Sequence, residues 1–297
     1  MSEVAQRSGF VSIVGRPNVG KSTLVNAMVG EKVAITSSRP QTTRHTIRGV
    51  VTSAEGESQV VLVDTPGIHR PRTALGERLN TLVYGSLAEA DAVLFVLDAT
   101  QKIGPGDRLI AERLDEADAP VVVVVNKVDI ADKGLVLEQL ADASEWGFAA
   151  YVPISAKASD GIDRVISEVV ELLPEGPFFF PPDMTSDQPD QLLAAEIVRE
   201  KYLRRLREEL PHSLAVVVDE IETQENGVTH IAATVYVERE SQKGMVIGKG
   251  GATIRDVGTE ARADLEAIFG TKIYLDLRVR VEKDWQRKDE LLDRLGF

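Results

Sequence analysis

Four short segments carry side chains whose types and spacing suit phosphate and purine chemistry. The first, Gly15-Arg16-Pro17-Asn18-Val19-Gly20-Lys21-Ser22, sets glycines at both ends of a turn and a cation and a hydroxyl at its exit. Without β-carbons at the two glycines the backbone can wrap closely round an anion, with successive N–H groups pointing inward. Lys21 can then bridge a β- and a γ-phosphate, and the Ser22 hydroxyl can ligate Mg2+. Asp64-Thr65-Pro66-Gly67 adds a carboxylate able to hold a metal-bound water and a glycine N–H able to meet a γ-phosphate. Asn126-Lys127-Val128-Asp129 selects the base. A carboxylate at Asp129 accepts two hydrogen bonds from guanine N1–H and its 2-amino group, partners that adenine lacks, and a buried acceptor left unpaired discriminates strongly. The stem of Lys127 can cover the base, Asn126 can brace the loops, and the Ala156 N–H of Ser155-Ala156-Lys157 is placed to reach guanine O6. Between the first two segments lies Pro40-Gln41-Thr42-Thr43-Arg44, where Thr43, or failing it Thr42, can reach Mg2+ only when the γ-phosphate is present. The set reads as a GTP/GDP site. Lys21, Thr43 and Gly67 act on the γ-phosphate, and Ser22, Thr43 and, through water, Asp64 face the metal.

Such segments work only at strand ends, and the surrounding pattern supplies strands. Apolar runs at residues 10–14, 60–63, 92–97, 121–125 and 151–154 alternate with helical periodicity at 21–29, 77–90, 107–116, 135–146 and 162–172. Short apolar strands separated by helices predict an α/β domain with a mainly parallel sheet and helices on both faces. Residues 45–53 and 58–63 read as an antiparallel hairpin at one edge. All four motifs then follow strands, as expected of a ligand crevice in an open sheet.

The pattern breaks in a Pro-rich stretch beginning Pro174-Glu175-Gly176-Pro177-Phe178-Phe179-Phe180-Pro181-Pro182. Residues 1–175 are expected to form the nucleotide domain, 176–190 a stiff linker and 191–297 a smaller α+β domain of helix, two strands, two helices and a last strand. In the second domain Gly248-Lys249-Gly250-Gly251 joins two helices and fits a GxxG loop that clamps a nucleic-acid backbone. Its N–H groups and Lys249 can approach phosphates. Val246, Ile247 and Ile254 would wall a groove for bases, with Lys243, Arg255 and Arg262 along the same side. Tyr236 and Tyr274 read as core or edge residues rather than stacking platforms.

Composition sets limits on these readings. The chain of 297 residues contains no cysteine, which excludes disulfides and thiolate chemistry, and its four histidines are scattered. No apolar run approaches the length of a membrane span, and the start lacks the apolar core of a signal peptide, so a cytoplasmic protein is expected. The net charge of −13 argues against indiscriminate coating of nucleic acid. Residues 1–190 carry 17 Lys+Arg against 27 Asp+Glu, or −10, and the remainder only −3, so basic clusters remain open to the second domain.

The motifs together with Thr36-Ser37-Ser38-Arg39-Pro40-Gln41-Thr42-Thr43-Arg44, His69-Arg70-Pro71 and Val246-Ile247-Gly248-Lys249-Gly250-Gly251 resemble the Era family of bacterial GTPases across essentially the whole chain. The resemblance implies a P-loop GTPase domain joined to a type II KH domain. It implies 16S rRNA and the 30S subunit as partners, a role in 16S rRNA processing and 30S assembly, a monomer, and a peripheral membrane fraction. It also implies K+ as a second cation: Asn18 matches an asparagine that helps hold K+ against the phosphates in related potassium-activated GTPases. Ile68 stands where Ras-like enzymes place a catalytic glutamine, so hydrolysis should be slow without help. The competing reading is a GTPase serving RNA modification or membrane and cell-cycle coupling, with the KH domain binding RNA or protein elsewhere.

Overall fold

The computed structural model describes residues 6–37, 39, 42–67, 73–206, 210–295 and 297. Expectations that fall on Pro40, Gln41, Ile68, His69, Arg70 and Pro71 lie outside them. The chain divides into two compact units. The first comprises Met1–Thr36, Thr43–Arg70 and Leu79–Asp187, and the second Ser37–Thr42, Pro71–Arg78 and Gln188–Phe297.

The first unit is built on β1 (Arg7–Val14), β2 (Ile47–Thr52), β3 (Ser58–Asp64), β4 (Ala92–Asp98), β5 (Val121–Asn126) and β6 (Ala150–Ile154). The strands lie in the order β2-β3-β1-β4-β5-β6, all parallel except β2, which pairs antiparallel with β3 as the edge hairpin. Strands β3, β4 and β5 are buried along their whole length, as a parallel sheet covered on both faces requires. Alternation then sorts the side chains by face. Val11, Ile13, Leu62, Leu94 and Val124 join Leu24 and Val25 of α1 (Lys21–Val29) and Val165 and Val169 of α5 (Ile162–Leu172) in one core. Phe95, Leu97, Val123 and Val125 face the other way. They pack with Val83 of α2 (Ala74–Ala88), Ile110 and Leu114 of α3 (Pro105–Asp115) and Ala143 of α4 (Lys133–Ser144). The chain leaves β1 for β3 on one side and β4 on the other, which opens a crevice at the carboxyl ends of β1 and β4.

The Pro-rich stretch is strapped along the edge of this sheet rather than hanging free. The Val50 amide donates to the Thr185 carbonyl at 2.8 Å, Ser186 Oγ donates to the Arg48 carbonyl at 2.7 Å, and the Gln59 side chain is bonded to Phe179 and Phe180 backbone. Phe179 packs its ring on Phe10 at 4.7 Å. Prolines leave few backbone donors, so the stretch meets β2 through the Thr185 carbonyl and the Ser186 hydroxyl, and the Phe179 and Phe180 amides go to Gln59 on β3.

The second unit runs α6 (Asp190–Arg205), β7 (Ala215–Thr223), β8 (Val228–Val237), α7 (Glu240–Ile247), α8 (Ala252–Phe269), β9 (Lys272–Val281) and α9 (Asp289–Arg294). The sheet order is β7-β8-β9, with β7 antiparallel and β9 parallel to β8. A parallel return needs a crossover, and α7–turn–α8 provides it. The helix α6 is buried from Ala194 to Leu203, and its charges are paired: Glu196 with Arg199 at 2.6 Å, and Lys201 with Glu200 and with Asp264 on α8.

Candidate functional site

The residues after β1 form a loop whose geometry follows from its glycines. Gly20 has φ +102, and a β-carbon there would lie 2.3 Å from Asn126 Nδ2, so no other residue fits without moving that side chain. The helix α1 starts at the next residue and presents its N-terminal N–H groups to the crevice. Lys21 is buried, and its Nζ donates to the carbonyls of Gly15 at 3.1 Å and Arg16 at 3.3 Å. Burial lowers the Lys21 pKa to about 8, with the charge of Asp64 working in the opposite direction.

Three oxygens from three separate segments meet beside it. Ser22 Oγ lies 2.7 Å from Asp64 Oδ2 and 3.0 Å from Thr43 Oγ1, and Thr43 Oγ1 donates to the same carboxylate oxygen at 3.2 Å. Asp64 Oδ1 is buried with no hydrogen-bond partner among the described residues. Burial raises the Asp64 pKa, against the pull of Lys21 and the two hydroxyls. A buried carboxylate with a spare lone pair beside two hydroxyls suits a hard, oxygen-seeking cation such as Mg2+. Thr43 belongs to this group and Thr42 does not: the Thr42 hydroxyl donates to the Arg39 carbonyl at 2.7 Å.

At the ends of β5 and β6 the second half of the site is bound together by Asn126. Its side chain donates to the Val19 carbonyl at 2.9 Å and accepts from Lys127 N at 2.8 Å and Ala156 N at 3.0 Å. One amide thus ties the phosphate loop, β5 and the loop after β6. Ser155 Oγ donates to Asp129 Oδ1 at 2.7 Å, which fixes the carboxylate read as the guanine selector. Lys127 Nζ donates to the Asn18 carbonyl at 2.7 Å and to Asp98 Oδ2 at 2.6 Å.

Several expected contributions are corrected by these positions. Ala156 N–H, expected at guanine O6, is bonded to Asn126, so that role requires the bond to change partners. Arg16 turns its guanidinium away from the loop centre to Asp107 at 2.8 Å, and Val19 is packed in the core, so each offers the phosphates only backbone. Thr65 donates its hydroxyl to the Ile13 carbonyl at 2.7 Å, which leaves only its backbone to face a nucleotide. Pro17 and Asn18 belong to the loop itself, and Gly67, which follows Pro66, packs so closely on it that a β-carbon would meet Pro17 N at 2.9 Å. Lys157 follows Ala156 and is exposed. Sequence reasoning passed over Asp98, Asp107 and Gln139, because a lone carboxylate or amide has no spacing signature. A carboxylate ending an otherwise apolar strand was the one available signal, and it marks Asp98 as it marks Asp64.

In the second unit Gly248 holds φ 75, ψ 167, and a β-carbon there would lie 2.3 Å from Thr253 Oγ1. Gly248-Lys249-Gly250-Gly251 therefore turns tightly between α7 and α8, with Lys249 exposed. Beside it a groove of about 440 Å³ runs between the first turns of α8 and β9, lined by Gly251, Ile254, Arg255 and Arg262 on one wall and Leu275 and Leu277 on the other. Gly258 and Thr259 complete the helix wall. Lys243 and Ile247 are half-buried on α7. Val246 is a correction: at 0% exposure it belongs to the core and cannot wall the groove. Tyr274 stands on the edge strand at 58% exposure, borders the groove and packs on His230 at 4.8 Å.

Residues 10–127 match the family described as 50S ribosome-binding GTPase, and residues 209–286 match the KH domain. Fold, motif order and these matches define the class: a P-loop GTPase carrying a KH domain. The chain is 52% identical to GTPase Era of Mycobacterium tuberculosis H37Rv over 297 residues, 98% of each chain. It is 52% identical to GTPase Era of Mycobacterium avium over 298 residues, 98% of this chain and 99% of that one. Among solved structures, a tyrosine-to-alanine variant of Aquifex aeolicus Era bound to GDP.AlF4- superposes with a TM-score of 0.94 at 39% identity, covering 98% of this chain and 99% of that one. The chain belongs to the Era family, and it is a GTPase.

Proposed function

We propose that this protein is a GTP-switched RNA-binding protein that acts on 16S rRNA and assists its processing and the assembly of the 30S subunit. One observation carries the reading: the chain that holds a guanine-nucleotide site also presents a Gly248-to-Gly251 loop beside a groove of about 440 Å³ lined by Ile254, Leu275 and Leu277 and by Arg255 and Arg262. Support comes from a solved Era complex with MgGDPNP and nucleotides 1506–1542 of 16S ribosomal RNA, which matches with a TM-score of 0.94 at 39% identity over 98% of this chain. Among the described residues no helix is long and apolar enough to cross a membrane, and the proposed site of action is the cytoplasm.

On this reading Asp129 accepts guanine N1–H and the 2-amino group, and Lys127 covers the base. The backbone of residues 15–20 wraps the phosphates while the Lys21 ammonium bridges β and γ. Ser22, Thr43 and, through water, Asp64 would hold Mg2+, which neutralises charge that builds on the leaving phosphate oxygens. The Gly67 N–H donates to the γ-phosphate, and Thr43 docks only when that phosphate is present, so its loop reports the nucleotide state. Asn18 would lend its side chain to K+, in which case hydrolysis runs faster in KCl than in NaCl at equal ionic strength and Asn18→Ala removes the difference. In the KH fold Lys249 and the loop N–H groups take RNA phosphates, while Ile254, Leu275 and Leu277 receive bases and Arg255 and Arg262 flank them.

The test is a titration of a 16S rRNA 3′-end fragment with a GTP analogue, with GDP and without nucleotide, repeated on the double variant Lys249→Asp, Gly250→Asp. Affinity that differs between nucleotide states and vanishes in the variant is the expected result. Undiminished binding by the variant would overturn the interface, and identical affinity in all three states would remove the switch.

A further inference from the structure

Asp98 ends β4 directly across from Asn126 on β5, yet belongs to none of the four nucleotide segments. Its side chain is 5% exposed and fully engaged. Oδ2 accepts from Lys127 Nζ at 2.6 Å, and Oδ1 accepts from Thr100 N at 3.0 Å and Thr100 Oγ1 at 2.6 Å. Burial works to raise the Asp98 pKa, but the bonds from Lys127 and Thr100 outweigh it and hold the group below the usual carboxylate range. The same lysine ammonium reaches the Asn18 carbonyl of the phosphate loop at 2.7 Å. Asn18 and Lys127 are both left-handed, with φ 66 and 73. Non-glycine residues pay for that conformation and keep it only where their surroundings fix them. From α4, the buried Gln139 donates to the carbonyls of Asp98 at 3.1 Å and Gln101 at 2.9 Å, which locks the backbone behind the carboxylate.

We propose that Asp98 is a positioning residue for guanine-nucleotide binding: it holds the Lys127 ammonium against the Asn18 carbonyl, so that one side chain both stands over the base and pins the phosphate loop. The proposal rests on Lys127 and Asp129 forming the base site. Released from Asp98, the lysine has a long flexible stem and strong hydration, and both draw it into solvent. The loop then loses its tie at Asn18, and the base loses a preorganised cover.

A double-mutant cycle separates this role from a merely structural one. GDP affinity is measured by displacement of a fluorescent guanine nucleotide for the unaltered protein, Asp98→Asn, Lys127→Met and the double variant, each with its thermal unfolding curve. Asparagine can still accept from Thr100 but carries no charge for Lys127. Asp98→Asn should weaken GDP binding by about tenfold, a coupling of ordinary size for contacting residues, and should add nothing once Lys127 is methionine. A full effect of Asp98→Asn in the Lys127→Met background would overturn the proposal, as would unchanged GDP affinity in the single variant. If Asp98→Asn does not fold, Asp98→Ser replaces it in the same cycle. Asp129→Asn, measured against xanthosine diphosphate, serves as the control. An unchanged guanine preference there would mean that the base-site reading itself is wrong, whereas a switched preference with an additive cycle would remove only the role of Asp98.

Discussion

At the scale of single residues, function here depends on charges that are buried and paired before any ligand is considered. Lys21 and Asp64 face each other in a site that penalises both charges, and each is restrained by the other. A triphosphate and a divalent cation supply the counter-charges such a site lacks. Lys21→Ala should therefore lower kcat by about a hundredfold or more while circular dichroism stays native, and unaltered turnover would place the chemistry elsewhere. Asp129 is set differently, oriented by Ser155 at 2.7 Å. Asp129→Asn should weaken GTP binding by about 3 kcal/mol, since two guanine donors lose their acceptor, and should shift preference to xanthosine triphosphate, whose 2-oxo group suits an amide donor. Equal binding of ATP and GTP by the unaltered protein would remove Asp129 as the selector.

At the scale of elements, the parallel strands act as a rigid rack. The four motifs sit at strand ends, so their geometry is no better than the packing of β1, β3, β4 and β5. Leu94, at 0% exposure in the middle of β4, packs with Val11, Ile13 and Val124 in the core shared with α1 and α5. Leu94→Ala should cost about 2–5 kcal/mol of stability, read by urea denaturation, while folded protein at low temperature retains its guanine specificity. The helix α4 offers a milder case. Asp132 caps it, accepting from Gly134 N at 2.8 Å and Leu135 N at 3.3 Å. Asp132→Ala should cost about 1 kcal/mol, and a loss several times larger would show that Asp132 has a second role.

At the scale of the whole molecule, a net charge of −13 and an RNA-binding role are compatible only if the contact is local. Arg255 and Arg262 on the groove wall, with Lys249 exposed on the adjoining loop, supply local cations of that kind. Binding should therefore show a shallow salt dependence, with a slope near that of about two to four phosphate contacts, and Lys249→Ala should reduce the slope by about one. A slope as steep as that of a general nucleic-acid coat would contradict a confined interface. If GTP alters RNA affinity, linkage requires RNA to shift the GTP/GDP preference by the same factor, so the two titrations check one another.

The sequence by itself determined the elements and the chemistry of the nucleotide site. Motif spacing is local: Gly15 to Ser22 is one turn, and a run of five valines in β5 can only be a strand buried on both faces. The αββααβ order of the second unit was legible for the same reason. Tertiary structure decided which side chains meet across long separations. Arg16 finds Asp107, Lys127 finds Asp98, and Ala156 finds Asn126, pairings that depend on strand order and loop register rather than on periodicity. It also moved Val246 into the core and brought Tyr274 to the groove edge. Alternation along β9 and the weak apolar periodicity of the short helix α7 leave the buried face open in the sequence, and only packing in the folded unit chooses it.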